Sequence, residues 1–329
     1  MDTVISTSLL VMLARKWHKL AVHFDEIHKI FSAVSDGKMK NGIHLPIRIA
    51  AGVLLTCGFL QHMSSKTADL YNQYREAEYC GWEMQNFSHY FASRNYSFIF
   101  KHIRYNILIL LFFEFASTAL TMSWSCHDLM IILTSIGITF YFRQIVERVQ
   151  PFKSGVMIAN EKFWMEIRSH YVLLCELVKE TNGSLSLIII HSCGKNLYLL
   201  CYELINISRK DESIFSFVHH WCSLINLIIQ TVMVFYSASM MHETAKAPLT
   251  ICSRIPNFGW CSELERYIGQ LKSDRVAYTG MGFFHLTKRS ILAMAGSVVT
   301  YELVMLKFAE DTEGVGDVKP CSNLAFSKD

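Results

Sequence analysis

ILILLFFEFASTALTMSWSCHDLMIILTSIGITFYF, residues 107–142, carries only two formal charges, Glu114 and Asp128. A bilayer core about 30 Å thick is crossed by about 20 mostly apolar residues rising about 1.5 Å each. The stretch therefore reads as membrane helix, and it is too long for one crossing. Either it turns back within the membrane or one helix projects far beyond it, and periodicity leaves both open. Further apolar runs flank it, so the expected spans are 1–14, 46–64, 105–142, 185–205, 214–241 and 290–308. The chain reads as a single all-α, multi-pass transmembrane bundle over 1–308 with a polar tail at 309–329.

Composition agrees with that reading and excludes several function classes. Of 329 residues 51% are hydrophobic and 18% charged, against about 25% charged in an ordinary soluble domain. A net charge of +3 with no Lys/Arg block argues against a nucleic-acid partner. The ten Cys form no CxxC pair and no Cys/His ligand spacing, so no metal or other cofactor is expected. No metalloprotease, serine-hydrolase, nucleotide-binding or paired-carboxylate pattern stands out, so no catalytic residue is assigned and an enzyme is not expected.

Charge placement gives an expected orientation. Asp2 precedes the first run while Arg15, Lys16 and Lys19 follow it, the reverse of a secretory signal, so this run reads as the end of a helix entering the cytoplasm. Twenty of the 31 Lys and Arg fall in 15–48, 143–184 and 242–289. Those stretches are expected on the cytoplasmic side, which leaves the C-terminus extracellular.

The final run reads GFFHLTKRSILAMAGSVVTYELVMLKF, residues 282–308, and is preceded by PNFGWCSELERY, residues 256–267. The Thr-Tyr stretch ending in Phe resembles the signature of insect gustatory receptors. The Trp260-Cys-Ser-Glu-Leu-Glu-Arg266 loop, Ala277-Tyr-Thr-Gly-Met281 and Ala295–Val304 resemble the sugar-receptor (trehalose-type) branch. Weaker matches reach upstream through Trp164-Met-Glu-Ile-Arg168, Phe142-Arg-Gln-Ile145 and Trp124–Asp128.

The resemblance implies the seven-helix gustatory/odorant receptor channel fold, here apparently lacking the first helix and part of the second. It also implies a plasma-membrane subunit of a homo- or hetero-tetramer that surrounds a pore lined by the last helix. A small-molecule sugar bound among the other helices would open a non-selective cation path. Pore-lining candidates are Thr300, Val304, Lys307 and Phe308, which share one helical face, with Tyr301 and Glu302 as motif neighbours.

A sugar demands hydroxyl-matching donors and acceptors and an aromatic face. The candidates are Gln61, His62, Tyr105, Glu114, Tyr198, Tyr202, His219, Trp221 and Asn226. Any one Tyr or Trp in a span is otherwise an interface anchor, and any one Asn or His an interhelical hydrogen bond. The stripe Phe163, Ile167, Tyr171 and Leu174 is expected either between subunits or against its own subunit. Lys307 replaces the family's Gln. That departure keeps a non-conducting accessory subunit open, as well as a ligand-binding membrane protein without a pore.

Overall fold

The run from Ile107 does not turn back. In the computed structural model, which describes residues 2–34, 44–79, 87–154, 159–208 and 214–312, it continues as one helix, α5 (Ile107–Val149). Asn106 caps its start, Oδ1 accepting from the Leu108 amide at 2.9 Å. At about 1.5 Å per residue, 43 residues extend about 65 Å, roughly twice the bilayer core. The projecting half stays helical because its pattern turns amphipathic instead of breaking. Phe142, Ile145 and Val149 are buried, while Arg143 and Glu147 face out.

The same design recurs in α1 (Asp2–Val34), α2 (His44–Tyr79), α6 (Glu161–Ser208) and α7 (Ile214–Cys252). Short helices α3 (Phe87–Asn95) and α4 (Ser97–Phe100) connect α2 to α5. After α7 come the amphipathic α8 (Ser262–Ser273), a hairpin of β1 (Thr279–Gly280) and β2 (Phe284–His285), and the final helix α9 (Lys288–Thr312). Among the described residues four helices, α2, α5, α6 and α7, are long and apolar enough to cross a membrane. The expected spans 1–14 and 290–308 lie within α1 and α9. The stretches read as loops, 15–48, 143–184 and 242–289, are largely helical extensions and α8. Of the tail, 309–312 finish α9, and 313–329 lie outside the described residues.

The main core lies where the helices project. Trp164, Ile167, Tyr171 and Leu174 of α6 are fully buried against Leu264, Tyr267 and Leu271 of α8. The stripe expected at 163–174 thus faces its own subunit, with Phe163 partly buried at its edge. Acidic Glu263 and Glu265 begin α8 and Lys272 ends it, as the helix dipole favours. Arg168 donates to Glu263 at 2.9 Å and Arg266 donates to it at 2.7 Å. Burial pushes the Glu263 carboxyl up, but the two guanidinium groups outweigh it and hold it below the usual carboxylate range.

The β-hairpin turns through Met281 (φ 49°) and Gly282 (φ 81°), two consecutive positive φ values that a tight hairpin turn requires. Asn182 of α6 clamps it: Nδ2 donates to Thr279 Oγ1 at 3.0 Å and Oδ1 accepts from the Thr279 amide at 2.7 Å. Gly280 lies so close that a Cβ there would meet Ile190 of α6 at 2.8 Å and Phe284 at 2.7 Å.

Candidate functional site

Two intramembrane charges of opposite sign organise the bundle interior. Asp128 of α5 accepts from Lys195 Nζ at 3.1 Å and Gln230 Nε2 at 2.7 Å, and also from Ser192 Oγ. Lys195 donates further to the Trp124 carbonyl at 3.3 Å. Three helices, α5, α6 and α7, are thereby tied together inside the bundle. Such a pair is retained only with its hydrogen-bonding capacity filled.

Above this floor, toward the α6–α7 connection, lies a cavity of about 190 Å³ walled by α2, α5, α6 and α7. At ~30 Å³ per liquid water it holds roughly six waters, the scale of one sugar ring. Gln61, His62, Trp124, Lys195, Tyr202, Glu203, Ser223 and Gln230 all line it. Gly58 lets α2 close on α5, since a Cβ there would meet Ser125 Oγ at 2.8 Å.

One wall is a relay of hydrogen bonds: Asn226 donates to Gln61, Gln61 to Ser223 at 3.1 Å, and Ser223 to Glu203 at 2.6 Å. His220 Nδ1 meets the other Glu203 oxygen at 2.6 Å. Also among the lining residues, His62 and Trp124 keep Nε2 and Nε1 buried without a partner among the described residues. A ligand bearing hydroxyl groups would supply both an acceptor and a donor. Beside the cavity a groove of about 280 Å³ is lined by Gln61, Ser64, His219, Ser223 and Asn226, with Ser64 Oγ 2.8 Å from His219 Nδ1.

Five of the nine sugar-binding candidates therefore converge: Gln61, His62 and Tyr202 on the cavity, His219 and Asn226 on the groove it shares with Gln61. Four do not. Tyr198 is 66% exposed and Trp221 43% exposed, both facing outward. Tyr105 packs with His89 and Phe100 at the head of α5. Glu114 is occupied by Lys66 at 2.9 Å and by the Tyr96 hydroxyl at 2.8 Å. Missing from the candidates were Trp124, Asp128, Lys195, Glu203, Ser223 and Gln230. The rarity of an Asp and a Lys inside spans was the signal that could have found the floor.

On α9, Ile291, Met294, Val298 and Glu302 form the half-buried stripe, and Val298 packs beside Leu200 of α6. At about 100° per residue, Thr300 stands some 200° from both Val298 and Glu302, on the side away from its own subunit. Thr300, Val304 and Lys307 are exposed there, as is Tyr301. The Phe308 side chain lies outside the described residues. Glu302 keeps Oε2 buried without a partner among them.

Comparison with known proteins gives this geometry a family. Residues 3–321 match the family described as Trehalose receptor. The chain is 30% identical to the Drosophila melanogaster gustatory receptor for sugar taste 64a, over 93% of this chain and 67% of that one. It is 31% identical to sugar taste receptor 64f, over 92% and 63%, and 26% identical to gustatory receptor 5a for trehalose, over 91% and 66%. It spans about two thirds of the length of these curated relatives, or slightly less. In fold it is similar to the insect olfactory receptor OR5 from Machilis hrabei. The TM-score is 0.61 at 11% identity, covering 93% of this chain and 78% of that one. In complex with eugenol the same receptor gives a TM-score of 0.54. The chain belongs to the trehalose receptor family, the sugar-receptor branch of the insect gustatory receptors.

Proposed function

We propose that this multi-pass membrane chain is a taste-receptor subunit that binds a sugar in the 190 Å³ cavity and gates a non-selective cation pore along α9. The observation that carries the ligand reading is that His62 and Trp124 both line this polar, ring-sized space and each keeps a buried ring nitrogen, Nε2 and Nε1, without a partner among the described residues. Leaving such groups unpaired costs about 1–3 kcal/mol each, which a bound sugar hydroxyl recovers. The channel reading is supported by the family, by the fold similarity and by the free face of α9. In this reading the Lys/Arg-rich end is cytoplasmic in the plasma membrane, the C-terminus is extracellular, and four identical or related subunits surround the axis.

Coupling would run through α6. It carries Lys195, Tyr202 and Glu203 on the cavity side and touches α9 through Leu200 and Val298.

Lys307 favours a second reading, a subunit that binds sugar without conducting. An ammonium ~6 Å from a permeating cation repels it by about 0.7 kcal/mol at ε ≈ 80 and about 3 kcal/mol at ε ≈ 20, before screening.

Whole-cell current under a sugar panel separates the two. Sugar-evoked cation current from the unaltered chain supports the channel. Current only from Lys307→Gln assigns the block to the pore, and silence from both at confirmed surface expression defeats conduction altogether. In a responding version, Trp124→Phe removes one donor worth about 1 kcal/mol and raises the half-maximal sugar concentration roughly fivefold. An unchanged value would remove Trp124 from the site.

A further inference from the structure

The apolar run of α5 ends at Phe142, and the next charged residues, Arg143 and Glu147, lie one helical turn apart. Both are exposed, and neither has an ion-pair partner among the described residues. They border a second cavity of about 510 Å³, between the start of α2 at Pro46, α5 and α7. Its wall is otherwise largely apolar, with Ile136, Phe140, Met233 and Met240 along it. Gln144 and Tyr236 complete the lining, and two of its three hydroxyls are already used. Thr139 Oγ1 donates to the Ser135 carbonyl at 2.6 Å and Ser237 Oγ to the Val234 carbonyl at 3.0 Å. The result is a largely apolar slot at the membrane boundary where, among the described residues, Arg143 and Glu147 have no ion-pair partner, separate from the sugar cavity.

We propose that this slot holds a phosphatidylethanolamine molecule from the adjoining leaflet. Its phosphate would lie on Arg143, its ammonium on Glu147 and an acyl chain between α5 and α7. Arg143 offers the planar fork that matches phosphate oxygens. Side chains at i and i+4 stand about 5–6 Å apart at Cβ, which suits a phosphate and an ammonium joined by an ethylene linker. A headgroup with phosphate but no amine leaves Glu147 opposing its charge, so anionic phospholipid is disfavoured. The two unbranched Met side chains adapt to a chain of variable shape. The proposal needs only the membrane-spanning fold and stands independently of sugar gating.

The test uses the full chain purified in detergent, stripped of lipid and offered phosphatidylethanolamine or phosphatidylglycerol at equal concentration, with bound lipid read by native mass spectrometry. Phosphatidylethanolamine should be the retained species. Arg143→Gln should lower its retention about fivefold, the worth of one basic side chain at a membrane surface. Glu147→Gln should erase the preference for it over phosphatidylglycerol. Equal retention of the two lipids by the unaltered chain overturns the proposal whatever the variants do, as does retention unchanged in both variants. Displacement of the lipid by soluble glycerophosphoethanolamine at equal concentration would also overturn it, because the slot would then recognise a headgroup alone.

Discussion

At the scale of single residues the strongest constraint is the Asp128–Lys195 pair. Removing one partner of a buried pair leaves the other charge uncompensated, at a cost of about 3–5 kcal/mol. Lys195→Met should therefore lower the apparent melting temperature of the solubilised protein sharply. Adding Asp128→Asn to it should restore part of the loss, because the uncompensated carboxylate is gone. A double variant as unstable as the two single losses summed would show that the residues do not act as a pair. This floor was legible in principle, since Asp128 and Lys195 stand out as charges within apolar runs. The convergence of Gln61 and His62 followed from their polarity at membrane depth. Tyr198 and Trp221 face outward instead, and residue type alone could not reveal it, because an aromatic residue in a span serves equally well as an interface anchor.

Single elements show where sequence reading stopped. Residues 107–142 announced a membrane helix but not its continuation to Val149. That continuation depends on Ile145 and Val149 being buried against other projecting helices, a tertiary fact. The stripe at 163–174 was equally visible and equally undirected until α8 covered it.

Glu263, which ties α8 to α6 through Arg168, makes that packing sensitive to acid. Its carboxyl titrates below the ordinary value of 4.5 in the folded chain. Its contribution is therefore complete above about that value and is lost as pH falls through the folded one. Thermal unfolding followed from pH 7 down to pH 4 should show stability declining only at the acid end. Glu263→Gln should be less stable at pH 7 and show a flatter acid decline. An identical decline in both proteins would mean that other carboxylates govern it.

For the whole molecule the decisive geometry is that, among the described residues, α9 is covered on one stripe only. If the uncovered face meets the same face of neighbouring subunits, Thr300→Cys should form disulfide-linked dimers under mild oxidation at the cell surface, visible on a non-reducing gel. Val298→Cys, on the covered stripe, should not. Equal cross-linking of both would reject a central position for the Thr300 face. The family motif in this helix was readable in the sequence because it is short and contiguous. The polar cavity was less so, because its walls come from four helices between Gly58 and Gln230 and only folding brings them together.

The Asn182 clamp on the hairpin has a consequence for the cell's carbohydrate machinery. Asn182-Gly-Ser is an acceptor triplet for N-linked glycans. Its amide already donates to Thr279 and accepts from it, so a glycan there would detach β1 from α6. Asn95, also in an acceptor triplet, is exposed and, among the described residues, its side chain bonds Gln73 at the surface. Endoglycosidase treatment should therefore shift the mature chain in a way that Asn95→Gln reduces and Asn182→Gln leaves untouched. A sugar found on Asn182 would place residues 143–184 on the lumenal side and overturn the cytoplasmic assignment of the Lys/Arg-rich end.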